Sequence, residues 1–260
     1  MTYDARELAR VRHPILLTSA AMWLLLLAGA QTLPTFVHCP APSPAQGRLV
    51  ASLQMFLTMN PPAALALGWV VMLWAMMLPA LTAPIRYLYR RSFHHRRARS
   101  IVLFLSGYGG VWMACGGVLV ALEFGTRFFG DESYFSTMGI VLIAILWQVS
   151  PFKQRCLNRC HAFPQLSAFG AAADWDALVF GMTQGMWCAG SCWVLMLLPT
   201  LLPRGHLVAM AVVAVFIYCE RLEHPRPPRW RWRGCGRAVR FAIAQGRIRW
   251  QALLPLPRSR

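Results

Sequence analysis

Gly185-Met-Trp-Cys-Ala-Gly-Ser-Cys-Trp-Val-Leu-Met196 carries no charge and lies within a longer apolar run, residues 177–202. Cys188 and Cys192 stand four apart, so on a helix both sulfurs face the same way. At about 100° per residue, Gly181, Gly185, Cys188, Ala189, Cys192 and Met196 fall within one arc of roughly 80°, which Met182 and Met186 extend. Small residues at 181, 185 and 189 let a second backbone approach, the packing device of helices in a bilayer. The same face aims two soft sulfur ligands at one point, with methionines beside them, which is more than packing demands.

The rest of the chain places this helix in a membrane. Of 260 residues, 57% are hydrophobic and 13% charged, a balance that excludes an ordinary water-soluble domain. Apolar runs at residues 15–33, 63–87, 101–122, 134–150, 177–202 and 206–219 predict an all-α polytopic membrane helix bundle with about six transmembrane helices. The fourth and sixth are short and need thinning or snorkelling. Residues 1–223 form the integral membrane unit, and residues 224–260 a basic tail whose tryptophans, Trp230, Trp232 and Trp250, suit an anionic leaflet.

Charge placement orients the spans. Of the 26 Lys and Arg, 23 lie in the N-terminal segment, the loop from Arg86 to Arg99, the stretch from Lys153 to Arg159 and the chain from Arg221 onward, which puts all four and both termini in the cytoplasm. Arg48, Arg127 and Arg204 alone fall on the other side. The net charge of +17 is thus a topology signal, and without a recognition module it does not indicate nucleic acid. Arg6 to Arg12, the first apolar run and Ala28-Gly29-Ala30 also fit a cleavable signal peptide, but the run continues to Leu33 and favours a retained helix.

A second cysteine pair has the same spacing. In Gln148-Val-Ser-Pro-Phe-Lys-Gln-Arg-Cys-Leu-Asn-Arg-Cys-His161, Cys156 and Cys160 sit just past an apolar span with His161 adjoining. Lys153, Arg155 and Arg159 are expected to lower both thiol pKa values and favour metal-binding thiolates. The bland alternative is a solvated turn anchored to lipid headgroups. Two residues between cysteines would mark a redox motif, and this spacing differs. With most cysteines facing a reducing cytoplasm or lying in spans, thiols are expected. In the second span Met72 and Met76 are again four apart, and thioethers prefer Cu(I), although methionine also fills cores.

Other candidates carry less. His94 and His95 lie among arginines that repel metal cations. His38 and Cys39, with Met55 and Met59, have no fixed separation, and Glu123, Asp131 and Glu132 show no hydrolytic arrangement, so no enzyme activity is expected.

Ala75-Met-Met-Leu-Pro79, Gly107-Tyr108 with Trp112, the Gln148–Cys160 run, Cys188–Trp193 with Met196, and Glu220-Arg221 together resemble the family of predicted metal-binding integral membrane proteins. The resemblance implies a bacterial inner-membrane protein, and members of that family are proposed copper chaperones serving copper enzymes such as tyrosinases. Ser191 and His161 depart from the family pattern, which has cysteine and often arginine there. The expected cargo is Cu(I), with zinc the other ion that thiolates accept. The ligand set is Cys156, Cys160, Cys188, Cys192, Met72, Met76, Met196 and His161, and the partners are the lipid bilayer and a copper-enzyme client. A copper transporter, a thiol-redox enzyme and a structural subunit are the rival readings.

The charge split has a direct test. Reporters fused after Ser92 or Arg229 should be active only in the cytoplasm and one at Ser43 only outside; a cytoplasmic signal at Ser43 would overturn the topology.

Overall fold

Pro79 breaks the second apolar run, and in the computed structural model the chain turns there. Helix α2 (Pro62–Met77) passes into a 3₁₀ turn (Leu78–Leu81) before α3 (Thr82–Arg91) resumes. Proline has no N–H for the helical ladder, so the expected straight span becomes two helices joined by a tightened turn. The structure describes residues 3–29, 58, 61–129, 134–199, 205–232, 236, 240 and 243–245. His38, Cys39, Met55, Met59, Asp131, Glu132, Cys235 and Trp250 lie outside the described residues.

The other helices are α1 (Tyr3–Gly29), α4 (Arg97–Phe129), α5 (Tyr134–Val149), α6 (Pro151–Arg159), α7 (Gly170–Leu197) and α8 (His206–Arg221), and no strand occurs among the described residues. The all-helical expectation therefore holds. Three segments are long and apolar enough to cross a bilayer: Leu8–Gly29, Pro62–Arg91 and His94–Ala121. The count of six is not reached among the described residues. With 16 residues each, α5 and α8 extend about 24 Å, short of a hydrocarbon core of about 30 Å. Helix α7 has 28 residues, but Asp174, Asp176, Gln184 and Ser191 dilute its apolar character.

Helices α4 and α7 form the most extensive pairing. A Cβ at Gly181 would overlap the Phe104 carbonyl, and one at Gly107 would overlap the Leu178 carbonyl. Glycine on both sides thus brings the two backbones into direct contact. Around this crossing Phe104, Tyr108 and Trp112 of α4 are fully buried, and Phe104 meets Phe180 of α7 at 5.1 Å between ring centroids. Trp69 of α2 donates from Nε1 to the Trp112 carbonyl at 3.0 Å. Helix α1 lies on α2, where buried Ser19 donates to the Ala75 carbonyl at 2.7 Å.

The basic loop between α3 and α4 also holds structure. Arg96 and Arg99 each reach Asp174 at 2.7 Å, and Arg96 donates to the Gly170 carbonyl, so the start of α7 is latched to the loop. His94 and His95 are exposed. The first part of the tail is tied down too: Asn158 Nδ2 donates to the Arg226 carbonyl at 2.7 Å and the Arg231 N–H to the Val149 carbonyl at 3.2 Å. Trp230 and Trp232 remain exposed.

The crossing predicts a sharp contrast between glycines. Gly181→Ala should destabilise the protein by about 1–3 kcal/mol, because backbone and not a flexible side chain stands in the way. Gly110→Ala on the same α4 meets nothing within 4 Å and should be neutral or stabilising by up to about 1 kcal/mol, through helix propensity. Thermal unfolding of both variants in one detergent checks this; equal stability would contradict the backbone contact.

Candidate functional site

Every residue of the predicted α7 arc is buried: Gly181, Gly185, Cys188, Ala189, Cys192 and Met196. Its extension is not, since Met182 and Met186 are 43% and 55% exposed. The arc also meets a different neighbour from the one expected. It packs on α4 through Gly107, Tyr108 and Val111, whereas the Met72 and Met76 face of α2 was expected there. The cause is steric: Gly107 offers a backbone surface that a methionine face cannot. Met76 is buried in the same apolar core as Cys188, Cys192 and Met196, and Met72 packs against that core half-buried.

Within the arc, Tyr108 donates from Oη to Cys188 Sγ at 3.1 Å, and Trp112 and Cys192 also adjoin Cys188. Cys192 turns its thiol back to the Cys188 carbonyl at 3.0 Å, and Ser191 does the same with its hydroxyl at 2.7 Å. Both side chains thus follow the back-bonding habit of short polar groups on a helix. Ser191 is committed to its own helix.

Ser150 and Pro151 start α6 as a cap and a first-turn proline: the Ser150 hydroxyl accepts from the Phe152 N–H at 3.0 Å. This short helix carries Cys156 and Cys160 against α7. Cys156 Sγ occupies the space over Gly190, where a Cβ would stand 2.9 Å away, and Gln184 Nε2 donates to the Cys160 carbonyl at 3.1 Å. The two cysteine motifs are therefore neighbours through Gly190 and Gln184. All four of these cysteines are free and buried.

Burial reverses the expected electrostatics. It pushes the Cys156 thiol up, and the Cys160 thiol up to about 12, with Arg221 offsetting only part of the latter. The basic residues expected to depress these values are otherwise engaged. Lys153 binds Glu220, Arg155 is exposed, and Arg159 lies over the Trp187 ring at 5.7 Å. A metal must therefore displace protons from neutral thiols. His161 is also engaged differently from expectation: Nδ1 faces the Leu157 carbonyl at 2.9 Å and Nε2 the Arg221 carbonyl at 3.0 Å. With both ring nitrogens against backbone oxygens, His161 joins α6 to α8.

Around Lys153 lies a polar cluster that residue spacing does not reveal. Lys153 Nζ, fully buried, pairs with Glu220 Oε2 at 2.8 Å and donates to Gln148 Oε1 at 2.5 Å, while Gln148 Nε2 donates to Glu220 Oε1. Each of α5, α6 and α8 contributes one member. A basic residue just after one apolar run and an acidic one at the end of another were the available signal, since charges at membrane depth are rare unless paired. Among the described residues no group of three or more His, Cys, Asp and Glu converges as a metal cage. Tyr108, Trp112 and Cys192 adjoin Cys188, and the Arg221 guanidinium stands beside Cys160.

A family model described as PpoB2, copper chaperone, matches residues 66–243, more than half of the chain. No curated protein and no solved structure matches. The matched segment contains both cysteine pairs and the whole Gln148, Lys153 and Glu220 cluster.

That cluster should be energetically coupled. Lys153→Met or Glu220→Gln alone strands a buried charge and should cost about 3–5 kcal/mol. The double variant K153M/E220Q should cost much less than the sum in denaturant unfolding, and strict additivity would show that the pair does not act as one.

Proposed function

The chain belongs to the PpoB2 copper chaperone family, and from that premise we propose that it is a multi-pass inner-membrane protein which holds Cu(I) on buried thiols and delivers it to a copper enzyme. The observation that carries this reading is the meeting of the two cysteine motifs at Gly190 and Gln184, away from water and without disulfides. Soft thiolates in a dry site match Cu(I) better than harder ions, and a low-coordination site lets the ion exchange ligands. Copper is here the cargo and not a resident cofactor.

In this mechanism Cys156 and Cys160 on α6 receive the ion at the cytoplasmic face. Cys188 and Cys192 on α7 then take it by exchange, one sulfur at a time, each incoming thiol releasing its proton. Adjacency of the pairs means that the ion need not pass through free solution. Met76 and Met196 line the same core and Met72 its edge, so thioethers can serve once the ion moves past the thiols. Three membrane-length helices and the charge asymmetry support membrane residence. Six spans, with α5, α7 and α8 crossing beside neighbours that shield their polar positions, complete the proposed topology.

Serine substitution separates chemistry from packing. Ser191 already makes the back-bond that Cys192 makes, so C188S/C192S should fold and insert normally. Its Cu(I) retention against a colorimetric chelator should nevertheless fall by more than the roughly 10–100-fold typical of losing an outer-shell partner. C156S/C160S should load more slowly yet still bind copper supplied in excess. Wild-type retention in both double variants would sink the proposal and leave a structural role for the thiols.

A further inference from the structure

The mechanism above leaves one buried cation unused. Arg221 closes α8, and its carbonyl accepts from His161. Its Nε and Nη2 are sealed from solvent without a hydrogen-bond partner among the described residues. Lys153 is balanced by Glu220 at 2.8 Å, whereas no carboxylate pairs with Arg221 among the described residues. Instead its guanidinium stands beside Cys160, and its charge also reaches Cys188, Cys192 and Tyr108. A buried guanidinium that faces sulfurs and no carboxylate favours a thiolate beside it and fixes a positive charge next to any ion those sulfurs hold.

We propose that Arg221 is the charge filter of the thiol site, a fixed cation that admits a monovalent soft ion bound by thiolates and turns away a divalent one. This rests on the copper-binding reading of Cys160, Cys188 and Cys192. When two thiols lose their protons to solvent and form two sulfur–metal bonds, Cu(I) gives a complex of charge −1, which the guanidinium neutralises. A divalent ion on the same two thiolates gives a neutral complex and leaves the guanidinium unbalanced. For any fixed set of thiolates the cation repels a divalent ion twice as strongly as a monovalent one at equal distance, and burial removes the screening that would weaken this. Arginine suits the task because it keeps its proton when buried, where lysine can lose one. Softness of the sulfurs alone cannot reject Cd(II) or Zn(II), since thiolates bind both.

Ag(I) and Cd(II) are both soft and differ chiefly in charge, so they isolate the effect. The full chain, purified in detergent under reducing conditions, is offered equal concentrations of the two ions, and bound metal is measured after desalting. Wild type should hold Ag(I) in clear preference. Arg221→Met should shift the Ag(I):Cd(II) ratio about tenfold or more toward cadmium, and Arg221→Lys should give an intermediate ratio that moves toward wild type as pH is lowered and the lysine keeps its proton. An unchanged ratio in folded R221M overturns the filter, as does wild type binding Cd(II) as readily as Ag(I), a measurement that stands even if R221M does not fold. C188S/C192S run in parallel separates the two ideas: full Ag(I) retention there removes the thiol site itself, whereas lost retention with an unshifted R221M ratio removes only the filter.

Discussion

Gly181 and Gly107 let the backbones of α7 and α4 touch, and the placement of the candidate site follows from that approach. With no side chain between them at that level, Tyr108 and Trp112, one and five residues beyond Gly107 on α4, adjoin Cys188. Tyr108 then supplies the hydroxyl that contacts the sulfur. A larger residue at either glycine would separate the helices and withdraw the tyrosine. In a bilayer, where apolar burial does not favour helix association, van der Waals contact of this kind is a main driving force.

Polar groups organise the end of the bundle that carries α6. Lys153, Gln148 and Glu220 come from α6, α5 and α8, and their mutual satisfaction is a condition for burying any of them. Once they are joined, α6 cannot swing into solvent, and its cysteines are held against α7. His161 reinforces the arrangement by linking the end of α6 to the end of α8. Thiols in such surroundings stay protonated and unreactive until a metal displaces the proton, which suits a carrier that must hold its cargo without oxidising.

Arg221 introduces a tension that apolar packing would not create. A guanidinium beside buried sulfurs, with no carboxylate partner among the described residues, favours thiolate over thiol, and a thiolate complex of a monovalent ion would balance it.

Periodicity and composition were enough for the helices, the buried α7 face and the free thiols, because a helical stripe of small residues and cysteines has to be covered whatever covers it. Spacing alone also showed that each cysteine pair shares a face. Which helix covers that stripe was decided in three dimensions: Gly107, not the methionines of α2, presented the matching surface. The pKa values of Cys156 and Cys160 and the part played by Lys153 were misread for one reason. Neighbours in sequence were taken as neighbours in charge, whereas Lys153 spends its charge on Glu220, a residue far along the chain, and burial outweighs what remains. Local order is written in the chain; desolvation and long-range pairing arise only when helices distant in sequence pack together.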